Sequence, residues 1–204
     1  KEIRNTYIGD NKYLFCTVSR LSKEKNLHFF IDGLLELKNK IGDCFNTMVI
    51  GDGPLKKELE ERVQGLGLHN NVTFIGKVDN KKIKDYYGAC DLFLFSSKSE
   101  TQGIVLLEAM ASKLPVVAVK ASGVMDVVKN DVNGYMTTEN KEYWAKRILD
   151  IIMNNNLRLK LKDGAFRTSK EYSNSKIAKL ALHYYEEVIL ECYRRGQEYA
   201  FKIG

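Results

Sequence analysis

The sequence predicts an α/β fold: a Rossmann-like doubly wound parallel sheet with helices at its C-terminal end. Two observations carry this expectation. Short apolar, β-branched runs alternate with segments of helical period from the start to about residue 155, and the runs are nearly continuous in apolar residues. A strand that is apolar on both faces is buried on both faces, the condition of a parallel sheet covered by crossover helices. After residue 140 the strand-like runs stop and only helical spacing continues.

Taken in order, Tyr13–Val18 reads as the first strand and Asn26–Lys40 as a helix with Leu27, Phe30, Ile31, Leu34 and Leu35 on one face. Thr47–Ile50 is the next strand, after which Pro54 opens a helix running to about Gly65, since proline fits a first helical turn. Val72–Ile75, Leu92–Phe95 and Val116–Val119 are further strands, with helices near Lys81–Gly88 and Gly103–Ala111 between them. Asn133-Gly134 marks a turn. Tyr143–Met153, Leu157–Ser169 and Ser175–Arg195 are helical, the last with Ile177, Leu180, Ala181, Tyr184 and Val188 at helical spacing. The expected organisation is an α/β domain over residues 1–170 and a C-terminal helix within 171–204 that packs on something beyond the domain.

A chain of 204 residues, 44% apolar and 28% charged, suits one large globular domain with helical appendages. The net charge of +6, from 32 basic against 26 acidic residues, gives a lysine-rich surface attractive to anions: ligand phosphates or anionic lipid headgroups. The basic residues form no stripe with interleaved aromatics, which argues against nucleic acid as a partner. Cys16, Cys44, Cys90 and Cys192 show no C-x-x-C spacing, and three histidines make no zinc set. A reduced, cytoplasmic setting is expected, with no metal. The start at Lys1 without a leader suggests excision from a longer polypeptide, and no apolar run approaches the roughly 20 residues of a membrane span. Asn71-Val72-Thr73 matches a glycosylation sequon and is read as chance.

In an open parallel sheet ligands bind beyond the carboxyl ends of the strands, near the topological switch, so polar residues just after each strand are the candidates. After the first strand come Ser19-Arg20-Leu21-Ser22-Lys23-Glu24-Lys25, where Arg20 and Lys25 suit an anion, the one as a fork and the other as a point charge. After the second come Gly51-Asp52-Gly53-Pro54. Lys56 occupies the third glycine position, so the dinucleotide fingerprint fails, yet two glycines still permit close backbone approach. No Walker A pattern occurs. After the fourth comes Ser96-Ser97-Lys98-Ser99-Glu100-Thr101-Gln102-Gly103-Ile104. Gly103 and Ile104 open a helix and offer free backbone N–H groups to an anion. Glu108 lies just over one turn beyond Ile104 in an apolar stretch, where a buried carboxylate is costly unless hydrogen-bonded, as by sugar or ribose hydroxyls.

Glu100-x7-Glu108, followed by Ala109-Met110-Ala111-Ser112-Lys113-Leu114-Pro115, resembles the E-x7-E region of family 4 retaining glycosyltransferases, which have the two-domain GT-B architecture. Arg20-Leu21-x-x-Glu24-Lys25, Gly51-Asp52-Gly53-Pro54 and Phe74-Ile75-Gly76-Lys77-Val78 stand in the family's order, and the resemblance covers about residues 12 to 170. The wording from Glu100 to Glu108 is most similar to bacterial enzymes that glucosylate diacylglycerol. Typical members have a small residue and Phe at Thr101-Gln102, and often Gly at Asn26.

The resemblance implies the C-terminal, donor-binding half of a GT-B enzyme that moves a hexose from UDP-glucose, with retention and without metal or other cofactor. It implies that Arg20 and Lys25 neutralise the donor diphosphate and that Gly103 and Ile104 give amides to phosphate or sugar. Glu100 would hold donor-sugar hydroxyls and Glu108 the ribose hydroxyls. Val78 and Asn80 would lie near the base over a floor of Gly51 and Gly53, with Ser96 and Thr101 in lesser parts. The acceptor half would be an N-terminal domain of the same polypeptide, toward which the final helix packs, leaving the fragment inactive alone. Tyr193-Arg194-Arg195 and Tyr199-Ala200-Phe201-Lys202 would be the segments to touch a membrane peripherally. Other acceptors, polysaccharide or cell-envelope precursors, fit the same motifs. A UDP-sugar epimerase lacks an evident acid/base set here, and a receiver-like module needs an acidic pair where the chain has Ser19-Arg20.

Overall fold

The computed structural model describes residues 2–172. Lys1–Thr168 make one compact unit and Ser169–Gly204 a second. Of the second only 169–172 are described, so the helix expected over Ser175–Arg195 and the aromatic-basic tail lie outside the described residues.

The elements run α1 (Glu2–Ile8), β1 (Tyr13–Val18), α2 (Leu27–Ile41), β2 (Phe45–Ile50), α3 (Lys56–Gly65), β3 (Val72–Gly76), α4 (Ile83–Ala89), β4 (Leu92–Phe95), α5 (Ile104–Ala111), β5 (Val116–Val119), α6 (Ser122–Val127), β6 (Gly134–Thr137), α7 (Lys141–Met153) and α8 (Asn155–Glu171). Six strands make one sheet in the order β3-β2-β1-β4-β5-β6, with every neighbouring pair parallel. The chain winds outward from β1 to β3, returns to lay β4 on the other side of β1, and winds outward again. The fold is the doubly wound α/β arrangement that the apolar strands imply. β4 and β5 are buried at every position, as strands covered on both faces must be.

Several elements depart from expectation. β2 starts at Phe45 rather than Thr47. The polar Asn46 concealed it, but the Asn46 amide is satisfied inside the fold, donating to the Tyr7 carbonyl at 2.7 Å and to Thr73 Oγ1 at 3.0 Å. It thereby ties α1, a helix too short to show a period, to β2 and β3. Pro54 lies in the turn ahead of α3, whose first residue is Lys56. The turn expected at Asn133-Gly134 is present over 131–133, and the departure is the sixth strand that Gly134 opens. Asn133 is buried and donates to Val127 O at 2.9 Å and Thr168 Oγ1 at 3.0 Å. At Gly134 a Cβ would run into Val116 O. α6 has only six residues and was also not foreseen. Asn71 of the sequon is fully buried, its amide donating to Phe45 O at 3.0 Å.

The apolar face of α2 (Leu27, Phe30, Ile31, Leu34 and Leu37) is buried, each side chain contributing roughly 1.5–3 kcal/mol. Opposite it Trp144 of α7 takes Phe29 and Phe30 edge-on, with ring centroids 6.0 and 5.6 Å away. The indole lies on Gly33, where an added Cβ would stand 2.6 Å from Trp144 Cε3. Gly33→Ala is therefore expected to destabilise. The overpacking costs about 1–3 kcal/mol, less the roughly 1 kcal/mol by which Ala exceeds Gly in a helix. A lowered thermal-unfolding midpoint checks this; an unchanged or raised midpoint would show that the indole yields freely.

Candidate functional site

β1 and β4 lie side by side although β2 and β3 intervene in sequence, so the strand order reverses there, the place where an open parallel sheet offers a crevice at the carboxyl ends of its strands. A cleft of about 770 Å³ occupies that end of the sheet. It is lined by Val18, Ser19 and Arg20 after β1, by Ile50, Gly51, Asp52 and Gly53 after β2, by Lys77, Val78 and Asn80 after β3, and by Ile83 and Glu108 from α4 and α5. Six of the residues singled out from the sequence (Arg20, Gly51, Gly53, Val78, Asn80 and Glu108) share this wall.

The floor is made by backbone. The Ser19 N–H donates to Ile50 O at 3.0 Å, the Leu21 N–H to Asp52 O at 2.9 Å, and the Leu55 N–H to Leu21 O at 3.0 Å. The loop after β2 therefore lies directly on the loop after β1. Gly51 has φ of 135°, and a Cβ there would strike Ser19 O. A Cβ on Gly53 would strike Leu21 O. These glycines are required by the approach of one loop to the other, and the floor of the cleft follows from it. Two cations, Arg20 and Lys77, and two carboxylates, Asp52 and Glu108, face the cleft, all on exposed residues.

Glu108 corrects the sequence reading in one respect. It is exposed rather than buried, because the α5 face carrying it opens on the cleft. Its Oε2 accepts a hydrogen bond from the hydroxyl of Tyr87, a buried residue of α4, at 3.2 Å.

Lys25, Glu100, Thr101, Gly103 and Ile104 are not among the cleft-lining residues and gather beside it, where the loops after β1 and β4 meet. Lys25 Nζ lies 3.9 Å from Glu100 Oε2 and donates to Ser99 O at 3.5 Å. Ser96 Oγ donates to Lys25 O at 2.8 Å and Ser97 Oγ to Glu24 O at 3.3 Å, so these serines fasten one loop to the other. The Gly103 N–H, expected to be free for an anion, is instead taken by Glu100 Oε1 at 3.0 Å. Glu100 caps the helix because a carboxylate is the natural partner of a helix N-terminus. The amides that open α5 without an intrahelical acceptor are then those of Ile104 and its successor. Ile104 is 55% exposed and lies one turn before Glu108 on the same helix face, so α5 joins the two groups. Thr101 is exposed. Gly103 has φ of 65° and lies against α6, where a Cβ would stand 2.7 Å from Gly123 O. The Gly123 N–H in turn donates to Glu100 O at 2.7 Å.

Sequence reasoning missed Lys77 and Tyr87. Lys77 directly follows β3, and the search after each strand applied there would have found it. Tyr87 had no signal, being the second of two adjacent tyrosines with nothing in sequence to set it apart from Tyr86. Among the described residues no group of three or more His, Cys, Asp or Glu is placed to hold a metal, and no helix is long and apolar enough to cross a membrane.

If the glycine floor is as tight as this, Gly51→Ala should lower stability by about 2 kcal/mol or more, through loop displacement and strain. Gly88→Ala, where a Cβ meets open space, should cost nothing. Urea unfolding of the two variants makes the comparison, and equal midpoints would show that the loops separate without cost.

The profile of the family described as glycosyl transferases group 1 matches residues 1–168. Alpha-monoglucosyldiacylglycerol synthase of Streptococcus pneumoniae is 36% identical over 119 residues, covering 58% of this chain and 27% of the relative. The protein of the same name from Acholeplasma laidlawii is 28% identical over 183 residues, covering 89% and 45%. Among solved structures, Anabaena HepE in complex with UDP and glucose superposes with a TM-score of 0.77 at 29% identity, covering 89% of this chain and 51% of that one. The chain thus spans less than half the length of these two curated relatives. With the profile spanning most of the residues and the same fold in its solved neighbours, the chain belongs to the group 1 glycosyl transferases and is a domain of GT-B type.

Proposed function

We propose that this domain binds the nucleotide-sugar donor, UDP-glucose, of a retaining family 4 hexosyltransferase whose acceptor is a membrane lipid such as diacylglycerol. The observation that carries the reading is the cleft of about 770 Å³ at the carboxyl ends of the strands, where Arg20, Gly51, Gly53 and Glu108 share one wall. The solved structure of HepE with UDP and glucose supports a UDP sugar as donor, and the two synthases named for monoglucosyldiacylglycerol support a lipid acceptor.

In this reading Arg20 and Lys25 neutralise the diphosphate, and Ile104 with the next amide of α5 receives an oxygen at the helix start. Glu108 accepts from the ribose hydroxyls. Glu100 accepts from hydroxyls of the donor sugar while Oε1 stays on the Gly103 amide, with Thr101 and Ser96 nearby. Val78 and Asn80 face the base above Gly51 and Gly53. The bond from the anomeric carbon to phosphate oxygen breaks with its electron pair going to the diphosphate. The acceptor oxygen attacks the same face and passes its proton to the departing phosphate. Cations close to that phosphate stabilise charge that grows as the bond breaks, which is where electrostatic catalysis acts. No residue need serve as nucleophile, and no metal is required for this charge balance.

The acceptor belongs to the rest of the protein, in the portion that the longer relatives carry outside the matched span. Contact of the whole protein with the inner face of a cell membrane follows from a lipid acceptor, and the domain alone is inactive. Calorimetric titration with UDP, GDP and ADP sugars tests the donor half of the proposal. UDP-glucose is expected to bind, and Glu108→Ala or Arg20→Ala to weaken it about tenfold or more, as loss of a charged hydrogen bond does. Folded wild-type chain that binds none of them overturns the reading. An assay of the full-length protein with UDP-glucose and diacylglycerol, against soluble acceptors, tests the acceptor.

A further inference from the structure

Glu108 stands at the cleft with one of its carboxylate oxygens held from inside the protein. The Tyr87 hydroxyl donates to Glu108 Oε2 at 3.2 Å and so joins α4 to α5 beneath the cleft wall. Tyr87 is 1% exposed, and its ring meets Phe93 of β4 edge-on, with centroids 5.8 Å apart and planes at 71°. Packed this way the ring has no freedom to swing, so the hydroxyl is a fixed point. Glu108, by contrast, is exposed on the surface of a helix, where an unrestrained glutamate samples several rotamers.

A core position that needed only volume would be filled as well by phenylalanine. The tyrosine brings one polar atom into apolar surroundings, which is costly unless the atom is hydrogen-bonded, and Glu108 is the acceptor it reaches. Burial first, and then the neighbouring Glu108 charge, hold the phenol's pKa above its ordinary value. The phenol therefore stays protonated, and remains a donor, at neutral pH.

We propose that Tyr87 is the positioning residue for Glu108: it fixes Oε2 from below, sets the plane of the carboxylate, and leaves Oε1 to receive the hydroxyls of a ribose. This rests on the nucleotide reading above. A carboxylate whose plane is fixed distinguishes a sugar that presents two adjacent hydroxyls from one that presents a single hydroxyl. A carboxylate free to rotate adapts to either.

The test is a titration of UDP and 2′-deoxy-UDP into the 204-residue chain as wild type, Tyr87→Phe, Glu108→Ala and the double variant. Wild type is expected to bind UDP more tightly than 2′-deoxy-UDP. Tyr87→Phe should weaken UDP about threefold to tenfold, the range of one hydrogen bond, and affect 2′-deoxy-UDP much less, so that the preference shrinks. In the Glu108→Ala background the same substitution should change nothing. Thermal unfolding of each variant confirms that the comparison is between folded proteins. Equal weakening of both nucleotides, or an undiminished effect in the Glu108→Ala background, reduces Tyr87 to a core residue and overturns the proposal while leaving the nucleotide site intact. Wild type that binds neither nucleotide, or Glu108→Ala that binds both unchanged, overturns the nucleotide reading itself and this inference with it.

Discussion

The loop leaving β2 lies backbone against backbone on the loop leaving β1, and this is the contact on which the cleft depends. Three main-chain hydrogen bonds hold it: Ser19 to Ile50, Leu21 to Asp52 and Leu55 to Leu21. Two glycines permit it, since at either position a side chain would meet a carbonyl oxygen of the facing loop. The contact also fixes where α3 starts, because the Leu55 amide that heads that helix is one of its bonds. At these two glycines the floor carries no side chain, so a flat or charged group can come close there, and the local shape is set by main-chain bonding rather than by rotamers.

The second support is the seam between β1 and β4, produced by the reversal in strand order. Ser96 and Ser97 bond the carbonyls of Lys25 and Glu24, and Gly123 bonds the Glu100 carbonyl. Three loops, after β1, β4 and β5, are thereby tied at one end of the sheet. The apolar core needs none of these polar contacts. They set the relative positions of side chains that come from distant parts of the chain.

The sheet was legible because burial on both faces writes itself as uninterrupted apolar runs: Leu92–Phe95 and Val116–Val119 appear as strands at their full extent. What escaped was structure held by polar tertiary contacts. Asn46 looks like a strand breaker until Tyr7 and Thr73 are beside it. Asn133-Gly134 is the turn it looks like, but nothing in sequence shows that Thr168 and Val127 anchor the asparagine amide and that a strand starts at once. α1 and α6, of seven and six residues, are too short for a period to register. At the site Val78 and Asn80 enter only through the family resemblance, whereas the rule of looking after each strand leads to Arg20, Gly51, Gly53 and Glu100, because parallel topology brings strand ends together whatever their separation in sequence. It misjudged Glu108, whose apolar neighbours in sequence imply burial although its own helix face is open. It also misjudged the Gly103 amide, because a capping carboxylate three residues upstream is indistinguishable in sequence from a ligand-binding one.

Glu100 engages both carboxylate oxygens and its own carbonyl: one oxygen with the head of α5, the other beside Lys25, and the carbonyl with the head of α6. Such a residue is a keystone, and any substitution there disturbs a helix cap and an ion pair together. Its neighbours Thr101 and Gln102 are exposed, and a change of side chain there leaves the arch standing.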